Sequence, residues 1–375
     1  MASHGVTRGS VPDKSDKDRE KERKHIQQYK QLEKDVFERR QIAARDFSND
    51  SLVLTSRLLN QNPEYYTIWN HRRVILEDVF ARELATSKTD ESQPEEADAA
   101  AAEKAGLTVP QREILLLIQE DLQFQLPLLK QWPKCYWIWN HRQWLLVTAT
   151  QHIPAHATTE LWKGELGLVT KMLSMDSRNF HGWNYRRTVV ENIESLSGKS
   201  MCEAEFEYTT KMIETNLSNF SAWHNRGQLI PRLLDERDAD DSARRTLYDA
   251  EFELITKALY TDPYDQSLWF YHQCLMSALD ESNPKRLVIL QNLSNSDRIH
   301  YLDQELDSVK DMLDGAEDCK YIYQALLDYS RRYLEVEAGN KKVTTAEMKQ
   351  WLEELRKIDP LREGRWADLE KKLKL

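Results

Sequence analysis

The chain has 375 residues, of which 40% are hydrophobic and 30% charged, and a formal net charge of −10. That acidic balance excludes a primary role in nucleic-acid binding, which favours basic surfaces, and 11 glycines without a G-x-G-x-x-G or Walker motif exclude a glycine-rich phosphate loop. Cys135, Cys202, Cys274 and Cys319 lie far apart, so neither a disulfide framework nor a zinc site is indicated; no apolar run reaches transmembrane length, and a reduced, cytoplasmic compartment is expected.

In chain order, residues 1–24 read as a flexible N-terminal arm: Gly5, Gly9 and Pro12 precede alternating Lys and Asp/Glu. From about His25 the pattern turns helical, and 25–375 reads as one α-helical repeat domain. Tyr29, Leu32, Val36 and Phe37 recur at helical spacing, then Leu52, Leu54, Leu58 and Leu59 lead to a turn at Asn62-Pro63. Thr86 to Gly106 is rich in Ser, Ala and acidic residues, so 86–106 reads as a disordered acidic insertion. A helix is expected from Pro110 to Lys130, kinked or ended early by Pro127. Asp235 to Arg245 reads as a solvated charged excursion. Helical patterns then continue through Leu302–Met312, Tyr321–Leu334 and Met348–Leu355.

One phrase recurs along this array. Asn62-Pro-Glu-Tyr-Tyr-Thr-Ile-Trp-Asn-His-Arg72 returns as Trp132-Pro-Lys-Cys-Tyr-Trp-Ile-Trp-Asn-His-Arg142, as Asp176-Ser-Arg-Asn-Phe-His-Gly-Trp-Asn-Tyr-Arg186 and as Asn216-Leu-Ser-Asn-Phe-Ser-Ala-Trp-His-Asn-Arg226. A more worn copy ends at Trp269-Phe-Tyr-His272. Trp69, Trp139, Trp183, Trp223 and Trp269 stand 70, 44, 40 and 46 residues apart (139−69, 183−139, 223−183, 269−223). Such a period marks a repeat array of helix, polar turn and second helix, an all-α solenoid. The five Trp are read as repeat core. In the third copy Trp183, Arg187 and Val190 share one helix face, with the guanidinium placed to reach a carbonyl or carboxylate.

The phrase [F/Y]-x-x-W-[N/H]-x-R at this period resembles the α-subunit repeat of protein prenyltransferases, over about Gln27 to Leu373. Within that family the likeness is greatest to the type II, Rab-directed group in its compact fungal form. His4-Gly5-Val6, Tyr136-Trp-Ile-Trp-Asn-His-Arg142, Glu205-Phe-Glu-Tyr-Thr-Thr210 and Asp359-Pro-Leu-Arg362 carry it. The resemblance implies a right-handed crescent of helical hairpins wrapped around a β subunit. That partner would hold Zn2+ and most of the lipid pocket, leaving no metal site in this chain. The reaction implied transfers geranylgeranyl from its diphosphate, with Mg2+ as a further ion admitted, to C-terminal cysteines of Rab GTPases presented by an escort protein. Carried over residue by residue, Lys134 stabilises charge on the leaving diphosphate and His181 joins it as a catalytic residue. Tyr136 and Asn179 lie beside the diphosphate, Asn179 also being placed to cap its helix. Phe180 stands where relatives commonly have Tyr, and His4 would approach the partner's zinc. Two alternatives stay open: the α subunit shared by farnesyltransferase and type I geranylgeranyltransferase, and a non-catalytic helical-repeat scaffold.

Overall fold

Eight of the helices are opened by a Ser, Thr, Asn or Asp whose side chain accepts a first-turn backbone N–H: Ser48, Thr108, Asn179, Asn219, Asp240, Asp265, Ser294 and Thr344. Each such cap contributes roughly 0.5–2 kcal/mol, and together they set where the chain turns. The computed structural model describes residues 15–41, 46–89, 96–280, 282–284, 286–337 and 342–375. Among them are sixteen α-helices, one 3-10 turn at Pro360–Arg362 and no strand.

The stretch read from sequence as one domain divides by packing into two compact units. In a repeat array each hairpin touches only its neighbours, so compactness does not span the whole chain. The first unit contains α1 (Asp16–Gln41), α2 (Asn49–Gln61), α3 (Tyr66–Thr89), α4 (Glu96–Lys104), α5 (Val109–Gln131), α6 (Tyr136–His152), α7 (Ala155–Met175) and α8 (Phe180–Ser197). The hairpins α2–α3, α5–α6 and α7–α8 follow one another, and α1 packs on α2. The second unit holds α9 (Cys202–Thr215), α10 (Phe220–Glu236), α11 (Asp241–Thr261), α12 (Gln266–Ser277), α13 (Asn295–Asp311), α14 (Lys320–Val336), α15 (Thr345–Ile358) and α16 (Glu363–Leu373), again paired as hairpins.

The core is built by the repeat phrase. Trp69, Trp139, Trp183, Trp223 and Trp269 are all buried. Burying such a ring removes 150–250 Å² of surface from water, provided its N–H finds an acceptor. Four of these indoles donate to the carbonyl six residues earlier: Trp69 to Pro63 at 2.8 Å, Trp139 to Pro133 at 2.9 Å, Trp223 to Leu217 at 2.8 Å and Trp269 to Pro263 at 2.7 Å. The turn carbonyls also accept from the next copy. Pro63 O takes the Cys135 thiol, Pro133 O takes the Asn179 amide at 2.9 Å, and Pro263 O takes the Cys319 thiol. One carbonyl thus fixes both its own Trp and the following turn. A Cβ on Gly182 would meet the Leu173 side chain at 3.0 Å, which favours glycine at this position of the third copy.

Several expectations need correction. Helix α1 begins at Asp16, inside the stretch expected to be a flexible arm; His4 lies outside the described residues. Within 86–106, expected to be disordered, Glu96–Lys104 is helix α4 and packs on α5 with Ala102 buried. Its run of alanines supplies the best intrinsic helix former. Pro127 does not end α5, which continues to Gln131. The 235–245 excursion is not wholly solvated: Arg244 is buried, ion-paired with Asp235 and donating to Ala239 O at 3.0 Å. In the third copy the buried arginine is Arg186, whose Nη1 donates to Thr170 at 2.7 Å, whereas Arg187 is exposed.

Candidate active site

The residue three positions after each Trp makes a buried polar link. Arg142 Nε donates to Glu165 Oε2 at 3.0 Å and its Nη1 to Leu122 O at 2.7 Å, while Tyr185 Oη donates to Glu165 Oε2 at 2.6 Å. Arg226 Nε repeats this with Glu251 Oε2 at 2.7 Å, and Tyr271 Oη donates to the same oxygen at 2.5 Å. Arg72 pairs with Asp121, and in the worn copy His272 takes the arginine's place, with Nε2 2.6 Å from Glu305. These groups are consumed by one another in buried sites, so they are scaffold.

Asp121 shows how tightly they are held. Burial alone would raise its pKa, yet Arg72 and His141 keep the carboxyl well below the usual carboxylate range. His141 is fully enclosed, and burial lowers its pKa to about 4 against the opposing pull of Asp121. The geometry agrees. His141 Nε2 lies 2.7 Å from Asp121, and its Nδ1 accepts from Arg73 Nε at 3.3 Å, so the ring is neutral.

The candidate site residues sit at the turns instead. Lys134 is exposed on the turn before α6. Tyr136 is the first residue of α6 and half exposed, with its ring centroid 5.4 Å from Trp137 and 6.1 Å from His181. Phe180 and His181 open α8, their rings 4.0 Å apart, with Phe180 projecting outward at 66% exposure. Burial lowers the His181 pKa, Glu64 opposes that shift and Lys134 adds to it. Lys134, Tyr136 and His181 therefore share one locality. Asn179 differs. It is buried, its Oδ1 accepts from His181 N at 3.0 Å and Gly182 N at 3.3 Å, and its Nδ2 binds Pro133 O. It holds the turn, and its buried amide is committed to doing so.

Two neighbours went unnoticed in the sequence. Arg73 from α3 is held against His141, lies over the Trp144 ring at 5.5 Å and neighbours Tyr136. Glu64, on the first turn, acts on both His181 and Cys135. Their signal was register: Glu64 and Lys134 each stand five residues before a repeat Trp. Two cations, a phenol, an imidazole and the N-termini of two helices make an edge suited to an anion. A shallow depression lined by Tyr136, Asn140, Gln143, His181 and Asn184 lies along it. Among the described residues no group of three or more His, Cys, Asp or Glu could hold a metal, and no helix is long and apolar enough to cross a membrane.

The protein prenyltransferase alpha subunit repeat matches residues 48–79, 127–149, 162–193, 202–233 and 248–279. The chain is 33% identical to the geranylgeranyl transferase type-2 subunit alpha of Schizosaccharomyces pombe, over 99% of this chain and 98% of that one. The chain belongs to the protein prenyltransferase alpha-subunit family. It is 32% identical to the type-2 alpha subunit of Candida albicans over 97% of this chain and 96% of that one. With the subunit of the same name from Saccharomyces cerevisiae the identity is 32% over 94% and 93%. Among solved structures, Candida albicans protein geranylgeranyltransferase-I complexed with GGPP superposes with a TM-score of 0.59, covering 92% of this chain and 91% of that one. At 19% identity that likeness concerns the fold alone. As a prenyltransferase alpha subunit the chain is an enzyme component whose family name implies a beta-subunit partner.

Proposed function

We propose that this chain is the alpha subunit of a heterodimer that transfers geranylgeranyl from geranylgeranyl diphosphate to C-terminal cysteines of Rab GTPases presented by an escort protein. The observation that carries the reading is full-length similarity to type-2 alpha subunits, combined with Lys134, Tyr136 and His181 meeting at one turn edge. Lys134 acts on negative charge that grows as the diphosphate leaves. Its contribution is therefore larger in the transition state than in the ground state. Tyr136 and His181 supply hydrogen bonds to the same anion and to the incoming peptide. Asn179 fixes the second turn against the third and keeps the edge rigid.

Among the described residues no group fits zinc. The chain's cysteines are dispersed, and Cys135 is buried with burial pushing its pKa up to about 11, the opposite of a thiolate ligand. We therefore place Zn2+ with the beta subunit and route no step through it here. Mg2+, where used, accompanies the diphosphate. The assembled enzyme works in the cytoplasm. The test is reconstitution with a type-2 beta chain, followed by single-turnover prenylation of a Rab–escort complex and of a free C-terminal CaaX peptide. Transfer to the Rab complex alone supports the reading. Transfer to the free peptide, with none to the Rab complex, assigns the chain to the shared farnesyl and type I subunit. No transfer with any beta chain leaves the scaffold reading.

A further inference from the structure

The repeat leaves one of its own links open. In three copies the side chain two places after the Trp is bound to a carboxylate 20 residues before it: His141 to Asp121 at 2.7 Å, Tyr185 to Glu165 at 2.6 Å and Tyr271 to Glu251 at 2.5 Å. Each carboxylate also holds the arginine of the preceding copy, Arg72, Arg142 or Arg226. In the first copy the side chain is His71, and Ser51 takes the carboxylate's register. Ser51 is buried and uncharged. Its Oγ lies near Asp46 but has no hydrogen-bond partner among the described residues. His71 is only 6% exposed, yet neither ring nitrogen has a partner among them. The neighbour on this side is α1, which brings two arginines to the ring. Arg39, Arg40 and His71 line a cavity of about 370 Å³, flanked by Phe47, Asn70 and Val74.

We propose that this cavity takes an acidic side chain of a docking protein, whose carboxylate stands between Arg40 and His71 as Asp121 stands between Arg72 and His141. Arg39 is already engaged: its Nη1 donates to one Asp46 oxygen at 2.9 Å, and the other oxygen accepts from Ser48 N at 3.0 Å. Arg40 is exposed, lies over the Phe37 ring at 5.8 Å and makes no ion pair among the described residues. Two guanidiniums therefore face one carboxylate, and the balance favours a second. Burial and Arg40 lower the His71 pKa and Asp46 opposes them, so the ring is neutral and offers one N–H. A carboxylate accepting from that N–H and from Arg40 gains charge-assisted bonds. The apolar sides of Phe47 and Val74 strengthen them by limiting water. The rim points to a protein as the source. Asn70 and Val74 are both exposed and share one face of α3, which offers contact area beyond the charged cavity.

The experiment uses the reconstituted heterodimer with 13C-labelled histidines in this chain. The His71 resonance is identified by its loss in His71→Asn. The probe is a blocked seven-residue peptide with one central Glu among alanines. It should shift the His71 resonance saturably and raise its titration midpoint by about one pH unit, as an opposite charge at contact distance does. The Gln counterpart of the peptide, and sodium chloride at the same ionic strength, should do neither. Arg40→Gln, a change at an exposed site, should weaken the response roughly tenfold, the loss of one charged donor. Ser51→Asp copies the Asp121–His141 pair and should abolish the response, because the place is then taken. A response equally strong in Arg40→Gln, or surviving in Ser51→Asp, overturns the proposal, as does none to the Glu peptide. Acetate acting at the peptide's concentrations assigns the cavity to a small acid and overturns docking. Phosphate acting where the Glu peptide does not overturns the choice of a carboxylate.

Discussion

Arg142–Glu165–Tyr185 in the first unit and Arg226–Glu251–Tyr271 in the second are nearly the same object. The arginine Nε to carboxylate distances are 3.0 and 2.7 Å, and the tyrosine to carboxylate distances are 2.6 and 2.5 Å. Five residues before their Trp, the turns differ. Before Trp69, Trp139 and Trp183 stand Glu64, Lys134 and Arg178, the last counted by packing with the second unit. Before Trp223 and Trp269 stand Ser218 and Tyr264, with the Tyr264 phenol bound to Asp318 and its pKa raised to about 12 by that bond. The repeat phrase therefore specifies a scaffold, and chemistry enters through turn residues that the scaffold leaves unspecified.

The comparison is broken most directly at the triads. Glu165→Ala and Glu251→Ala each strand a buried guanidinium and should each cost about 3–5 kcal/mol. Urea unfolding of both variants is the measurement, and clearly unequal losses would show that the triads are not equivalent. At the turns the two units should part. In the assembled heterodimer Lys134→Ala should slow the chemical step by about 10²–10³ with assembly intact. Tyr264→Phe, at the same register, should stay within about twofold, as for a surface change near 0.5 kcal/mol. Equal single-turnover losses for both would remove the distinction between scaffold and site.

Acid separates the units in another way. His141 has a folded pKa of about 4 against an unfolded value of 6.5. Above pH 6.5 neither state takes the proton. As pH falls from 6.5 towards 4 only the unfolded chain is protonated, so stability drops by about 3 kcal/mol across that window. Urea midpoints measured from pH 7 to 4 should show the decline, and His141→Gln should flatten it. A wild-type midpoint constant over this range would mean that the buried ring carries a proton after all. The smallest effect belongs to Phe180→Tyr. The ring is exposed, so thermal stability should change by less than about 0.5 kcal/mol. A shifted melting temperature would show that Phe180 packs more tightly than its exposure implies.

Much of this was legible in the sequence. The Trp spacing and the polar turns located the hairpins, and Lys134, Tyr136 and His181 were brought together only by the family resemblance. The acidic partners were not, although each lies 18 residues before an aromatic: Asp121 before Trp139, Glu165 before Trp183, Glu251 before Trp269 and Glu305 before Tyr323. A single carboxylate on an amphipathic helix looks like surface until its buried partner is known. Tyr323 itself hid a sixth copy. Its phenol donates to Glu317 O six residues back at 2.7 Å, as the indoles do, so the function persists after the residue type has changed. The helix cap at Asn179 was legible, but its bond to Pro133 O is made across 46 residues, and no local pattern announces it.

The doubly bonded turn carbonyls have a consequence for positional error. In a stack held only by apolar faces, small misplacements add from one copy to the next. Here Pro63 O and Pro133 O tie each turn directly to its successor, so Lys134 is one bond from the first turn and His181 one bond from the second. Within the first unit misplacement is reset at these two turns and does not accumulate. The same ties forbid length changes at the turns. Insertions must go to the other ends of the hairpins, which is where the extra helix α4 lies between α3 and α5.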